Sequence, residues 1–212
     1  MLDLDHVIVL VRDLDEWASR FEREWGLRTC AGGTDPNGIC TRIAPLRPPH
    51  YIELMTVLPG PGETSVPAML ARRLDARGDH FLGWAVRTDD VQREALRLKR
   101  TPQAGGGQTV RWRTVRPRTA AADHLPFFIE YDGSGATRYL QTRYDETNSP
   151  ARPGGFAWIE LTSPPSVLGE WLGAHDLPIR FANGDRGVHA VGINTDARGE
   201  IVIRVAPFGA SS

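Results

Sequence analysis

Two glutamates stand where a carboxylate is costly. Glu53 lies between Ile52 and Leu54, and Glu130 between Ile129 and Tyr131, each inside a short apolar and aromatic run. A carboxylate taken out of water is strongly destabilising unless it is ion-paired, ligated or hydrogen-bonded. Either glutamate would then serve as a general acid or base in a catalytic role. The structural alternative is pairing with arginine or exposure at an open sheet, and Arg113 is the obvious partner. His6 shares a strand face with Ile8 and Leu10. A histidine on such a face is either a satisfied core residue or a ligand and proton carrier. Arg111-Trp112-Arg113 alternates, so both arginines share one face. Facing a cavity, Arg113 would clamp an anionic group through bidentate hydrogen bonds. Trp84 and Phe128 are either apolar walls for a ligand or core residues.

These residues need elements to hold them. Leu4 to Val11 is a Val- and Ile-rich run broken only by Asp5 and His6, and it reads as a buried strand. Asp13 with Glu16 is a capping-box pattern. Leu14, Trp17, Ala18, Phe21 and Trp25 follow at helical spacing, and Gly26 supplies the stop. Strands are expected near 27–31, 41–45 and 51–57, separated by Gly/Pro/Asn-rich turns. A connecting helix is expected near 67–76. The opening pattern then returns as a strand over 81–87, a helix over 91–100 and strands over 110–115 and 127–131.

The return is an internal repeat. A shift of 77 residues carries Asp13-Leu14 onto Asp90-Val91 and Tyr51-Ile52-Glu53 onto Phe128-Ile129-Glu130. The same shift carries His6 onto Gly83. A third copy, shifted by about 151, places Ala157 and Arg204 opposite His6 and Glu53, so it repeats the shape without the polar residues. The expected fold is α+β, built from βαβββ modules. Modules 1–62 and 78–132 pair into an open curled sheet around a cavity, forming one domain over 1–132. Residues 133–154 read as a linker, and 155–212 as a third, degenerate module packed on or swapped with the first two.

In order and spacing, Leu4-Asp5-His6-Val7-Ile8-Val9, Asp13-Leu14-Asp15, Tyr51-Ile52-Glu53-Leu54, Gly83-Trp84-Ala85-Val86, Arg111-Trp112-Arg113 and Leu125-Pro126-Phe127-Phe128-Ile129-Glu130 carry a likeness. The chain resembles the vicinal oxygen chelate superfamily, the glyoxalase and bleomycin-resistance fold, and within it the bacterial glyoxalase-like branch. The resemblance implies a divalent metal (Zn, Mn, Fe or Ni) held by the first and last strands of each module. Carried over by position, the ligands are His6, Glu53 and Glu130, with Gly83 at the fourth place, which cannot ligate. Glu53 and Glu130 would be the catalytic proton carriers. Arg113, Trp84 and Phe128 would bind a small oxygenated, anionic substrate. The activities implied are those of an isomerase, lyase or dioxygenase; the alternative is a metal-free binding protein of the drug-sequestering type.

Composition narrows the classes. With 212 residues, 41% hydrophobic and 24% charged, the chain can build a packed core. A formal net charge of −1 provides no basic field for nucleic acid. No apolar run is long enough for a membrane span. The opening residues lack a basic n-region, and Cys30 and Cys40 form no disulfide framework, so a cytoplasmic setting is expected. The expected partner is a small-molecule ligand; a homodimer would complete a pair for the third module.

Overall fold

The computed structural model describes residues 1–58, 65–106, 110–118 and 124–205. Its first strand, β1 (Asp3–Leu10), is buried along nearly its whole length because both of its faces are covered. Val7 and Val9 point to one face, His6, Ile8 and Leu10 to the other, as a period of two requires. Helix α1 (Leu14–Arg20) starts where Asp13 accepts hydrogen bonds from the Asp15 and Glu16 N–H groups. It runs on into a π-helical turn, Phe21–Trp25, which Gly26 ends at φ +67°. Strands β2 (Cys30–Thr34), β3 (Ile39–Pro45) and β4 (Tyr51–Val57) complete the first module.

Helix α2 (Val66–Arg77) leads into the second module: β5 (His80–Arg87), α3 (Val91–Arg97), β6 (Gln103–Gly106), β7 (Arg111–Val115) and β8 (Phe127–Tyr131). Asp90 caps α3 by accepting from the Arg93 N–H, as Asp13 caps α1. The two modules share one eight-stranded sheet in the order β2-β3-β4-β1-β5-β8-β7-β6. The first strand of each pairs in parallel with its last, and β1 meets β5 antiparallel at the centre. The internal repeat is therefore visible in the pairing. Strand β6 has no apolar alternation to announce it. It runs through Gly105 because the Trp112 indole lies against it, and a Cβ there would come within 2.5 Å of Nε1.

Residues 133–154, expected as a linker, contain helix α4 (Gly135–Thr147). Its only buried residues are Ala136, Leu140 and Thr147, so the apolar stripe is too thin to stand out from a polar segment. The third unit comprises β9 (Pro153–Thr162), α5 (Pro165–Leu172), β10 (Ile179–Phe181), β11 (Gly187–Thr195) and β12 (Gly199–Arg204). The expected element order holds. Its strands form a separate sheet, β10-β9-β11-β12, in which β9 pairs in parallel with the next strand and not with the last.

One face of the large sheet is sealed by this third unit. Trp84, Phe128 and Val86 share a core with Trp17 and Phe21 of the first helical segment, Val91 of α3, Leu168 and Trp171 of α5, and Ile159, Leu161 and Ile193 of the second sheet. The opposite, concave face carries Ile8, Ala85, Phe127 and Ile129. Helix α2 roofs its far end, with Leu70 and Leu74 against Leu10 and with Met55 and Leu82 alongside. Among the described residues no helix is long and apolar enough to cross a membrane. Phe128→Ala should cost about 3–5 kcal/mol by leaving a cavity in the inter-sheet core. Chemical denaturation would show this as a lower midpoint without a change in slope.

Candidate functional site

The concave face acquires its polar centre from a register shift. Between Leu4 and His6 the pairing of β1 with β5 slips by one residue, leaving Asp5 unopposed. Such a bulge lets two consecutive side chains reach one side of the sheet. Asp5 is fully buried (0% exposed) and is held from three strands. The Nδ1 of His6 lies 2.6 Å from Oδ1, and the Tyr131 hydroxyl donates to Oδ1 at 2.9 Å. Arg87 donates from Nε to Oδ2 at 2.8 Å, and its Nη2 lies 2.6 Å from the same oxygen as an ion pair. Burial alone would raise the Asp5 pKa; the His6, Arg87 and Tyr131 contacts outweigh it and hold the carboxyl below 3.8.

An ionised Asp5 can only accept, so Nδ1 of His6 carries the hydrogen of this contact. Nε2 has no hydrogen-bond partner among the described residues. The ring stacks on Tyr51 at 4.5 Å and meets the edge of Phe127 at 5.4 Å. Glu53 sits one pair further along, opposite Ile8 on β4 and on the same face. It is half-buried; burial raises its pKa, and the charges of His6 and Arg116 partly pull it back. Across β1, Ile8 pairs with Gly83, and among the described residues a Cβ built there would touch nothing within 4 Å, which leaves open space over the sheet at that point. Arg116, just beyond β7, lays its guanidinium over the Phe127 ring at 4.1 Å.

The expected site residues divide between the two faces. His6 and Glu53 are together on the concave side. Glu130 is on the other: it accepts from the Val91 N–H at the start of α3 (2.8 Å) and pairs with Arg113 at 2.7 Å. Arg113 is its direct cross-strand neighbour and so faces the same way. The arginine pairing open to Glu130 in the sequence is the one the fold adopts. Trp84 and Phe128 are both fully buried in the inter-sheet core, with Trp84 donating to the His124 carbonyl. The reason is register. Ile8 pairs with Glu53 in the first module, and Ala85, which lies 77 residues after Ile8, pairs with Phe127 in the second. Phe127, not Glu130, takes the place equivalent to Glu53.

The sequence matches the Glyoxalase-like domain family over residues 4–175. The chain belongs to that family. It is thus a member of the vicinal oxygen chelate superfamily. A hypothetical protein from Staphylococcus aureus superposes with a TM-score of 0.58 at 14% identity, covering 96% of this chain and 86% of that one. Methylmalonyl-CoA epimerase from Mycobacterium tuberculosis matches at 25% identity with a TM-score of 0.45, over 60% of this chain and 85% of its own. A Streptomyces coelicolor methylmalonyl-CoA epimerase, in complex with 2-nitronate-propionyl-CoA, matches at 15% identity and 0.43, over 60% and 92%. None of the curated proteins matches the sequence.

The glyoxalase-like fold implies a divalent metal at four strand positions, and the residues here do not fit one. His6 and Glu53 supply two donors. Gly83 supplies none, and Phe127 places a ring where the last carboxylate would stand. Among the described residues no cluster of three His, Cys, Asp or Glu is arranged to hold an ion. A guanidinium already acts on the Glu53 charge, so a divalent cation would meet like charge there. Sequence reasoning missed Asp5, Tyr131 and Arg116. The visible signal was Asp5-His6, two polar neighbours in an apolar strand, which only a bulge can accommodate on one face.

A cavity of about 570 Å³ opens at the N-terminal end of β1, with Arg87 and Tyr131 in its wall. It reaches the partners of Asp5 from the strand ends. Asp3, Asp89, Glu130 and Asp176 line it together with Met1 and Arg87, and the Met1 amino group pairs with Asp89 at 3.2 Å.

The two buried carboxylates should give opposite pH signatures. Asp5 has a lowered pKa, so its contribution to stability is present above 3.8 and lost as pH falls through the folded value. Asp5→Asn should therefore be destabilised at neutral pH, with the gap to the parent closing in acid. Glu53 has a raised pKa, so its charge burdens the fold as pH rises above 4.5. Glu53→Gln should match the parent in acid and exceed it at neutral pH. Thermal unfolding across pH measures both.

Proposed function

We propose that this glyoxalase-like protein binds a small oxygenated molecule on the concave face and moves a proton on it without a metal. The observation that carries the reading is the Asp5–His6 pair at 2.6 Å, with the second ring nitrogen of His6 on the face of Glu53. A carboxylate on Nδ1 fixes the tautomer and ring orientation and stabilises the imidazolium that forms when Nε2 takes a proton. Glu53, opposite Ile8 and on the same face as His6, is placed to give a proton or hydrogen bond to an oxygen that gains charge.

The step is a proton transfer from carbon. The C–H bond beside a carbonyl or carboxyl group breaks, and its proton goes to Nε2 of His6. The electron pair moves into the adjacent C–O system, whose oxygen takes the Glu53 proton. Return of the Nε2 proton to the neighbouring carbon, as an oxygen-bound proton goes back to Glu53, gives an isomer; loss of a leaving group from the next carbon with the Nε2 proton, as the oxygen-bound proton goes back to Glu53, gives a lyase product. Tyr51, stacked on His6, and Phe127, at its edge, restrict the ring to one orientation.

The burial of His6, only 3% exposed, favours a second reading: a binding protein whose imidazole is structural. Deuterium incorporation separates the two. Incubation in D₂O with a panel of small 2-oxo and 2-hydroxy acids, followed by proton NMR, should show exchange at the carbon next to the oxygenated group. His6→Gln and Glu53→Gln should each slow it about 100-fold or more while circular dichroism stays unchanged. Exchange at parental rates in both variants would remove the proton-transfer reading. Saturable binding with no exchange of any compound would leave the binding protein.

A further inference from the structure

We infer that the concave face seats the carboxylate of a small monoanionic organic acid on Arg116, beside the open space over Gly83, where the fold would otherwise hold a metal. This names the substrate class of the site proposed above and rests on that reading.

The argument starts from the company each arginine keeps. Arg87, Arg93, Arg97, Arg113 and Arg204 each have a carboxylate within ion-pair distance. Arg116 has neither a carboxylate at that distance nor any hydrogen-bond acceptor among the described residues; its close contact is the Phe127 ring, 4.1 Å from the guanidinium carbon. Stacking uses one flat face of the group and leaves its edge of N–H donors unspent. Arg116 is exposed, with one face of its guanidinium on the Phe127 ring and the Glu53 carboxyl near enough to act on its charge. A guanidinium so placed, with donors unfilled, is a seat for a planar oxyanion that can accept two parallel hydrogen bonds.

Neighbouring positions supply the space. Phe127 pairs with Ala85, two residues along β5 from Gly83, so Arg116 stands on the same face as that glycine. Met55, Leu82 and Trp112 border the same face and suit a short carbon skeleton. Charge sets the valence of the ligand. With Glu53 protonated, as the proton-transfer step requires, the single guanidinium of Arg116 balances one negative charge on the ligand. The cation that would organise a substrate oxygen in a metal site is thus supplied by the chain itself, and the missing donors at Gly83 and Phe127 accord with it.

The test titrates the full-length, ¹⁵N-labelled protein separately with pyruvate, inorganic phosphate and Zn(II), following arginine Nε and histidine ring resonances. Pyruvate should bind saturably and move the Arg116 Nε resonance. Its affinity should fall about tenfold or more in Arg116→Gln, recover in part in Arg116→Lys, and stay unchanged in Arg113→Gln, whose side chain is on the opposite face. Zn(II) should leave the His6 resonances in place in the parent and shift them in Gly83→His, which restores a third donor. The inference is overturned if pyruvate does not bind, if it binds Arg116→Gln as tightly as the parent, if phosphate binds the same site more tightly, or if the parent takes up Zn(II) at His6. Each of these leaves proton transfer to be judged separately by deuterium exchange in His6→Gln and Glu53→Gln.

Discussion

The buried carboxylate of Asp5 is the constraint around which the centre of this protein is arranged. An unpaired charge at that depth would be strongly destabilising, so the fold must bring donors to it. His6 comes from the same strand, Arg87 from β5 and Tyr131 from β8. Tyr131 in turn approaches the Tyr51 hydroxyl of β4 at 3.4 Å. All four central strands of the eight-stranded sheet are therefore tied to one side chain. The Arg87 guanidinium also stacks over the Tyr131 ring at 5.0 Å, joining two of the donors to each other. The network binds the two halves of the repeat together and, through the same hydrogen bonds, sets the orientation of the His6 imidazole on the concave face.

Strand periodicity decides which polar residues share that face. Successive side chains point to opposite sides of a sheet, so a shift of one residue exchanges a site position for a core position. Glu130 and Tyr131 illustrate this. Tyr131 turns inward to Asp5, while Glu130 turns outward to the first turn of α3, where a carboxylate is favoured by the free N–H groups. Asp5 and His6 escape the alternation only through the bulge between β1 and β5. Two residues that a regular strand would separate become a hydrogen-bonded pair.

The second half of the repeat has changed its chemistry while keeping its pairing. Gly83 and Phe127 stand where donors would complete a metal set, and Arg116 rests on Phe127 close to Glu53. The aromatic ring has two effects: it removes an oxygen donor and it supplies the surface on which a cation sits. The other face has a purely structural task. Trp84, Phe128 and Trp171 fill the space between the sheets, and the Trp171 indole N–H is satisfied by the Pro126 carbonyl at 2.8 Å.

Much of this was legible in one dimension. Apolar alternation, Asp caps and a 77-residue period were enough to read two βαβββ modules, because these are local signals that the chain carries in every conformation, while the family was legible as a resemblance in the order of six segments. His6 and Glu53 were legible as polar residues in buried strands, where cost marks them out. The Glu130 ligand role, Arg113 as an anion clamp, and Trp84 and Phe128 as ligand walls were not decided by sequence. They depended on which face each strand turns inward. Helix α4 and strand β6 were hidden because their apolar content is thin. Only the tertiary structure decided the bulge at Asp5, the pairing of Ala85 with Phe127 and the placement of Arg116 over that ring. The physical reason is that register is a relation between strands far apart in the chain, set by the packing of both faces at once, and no local pattern contains it.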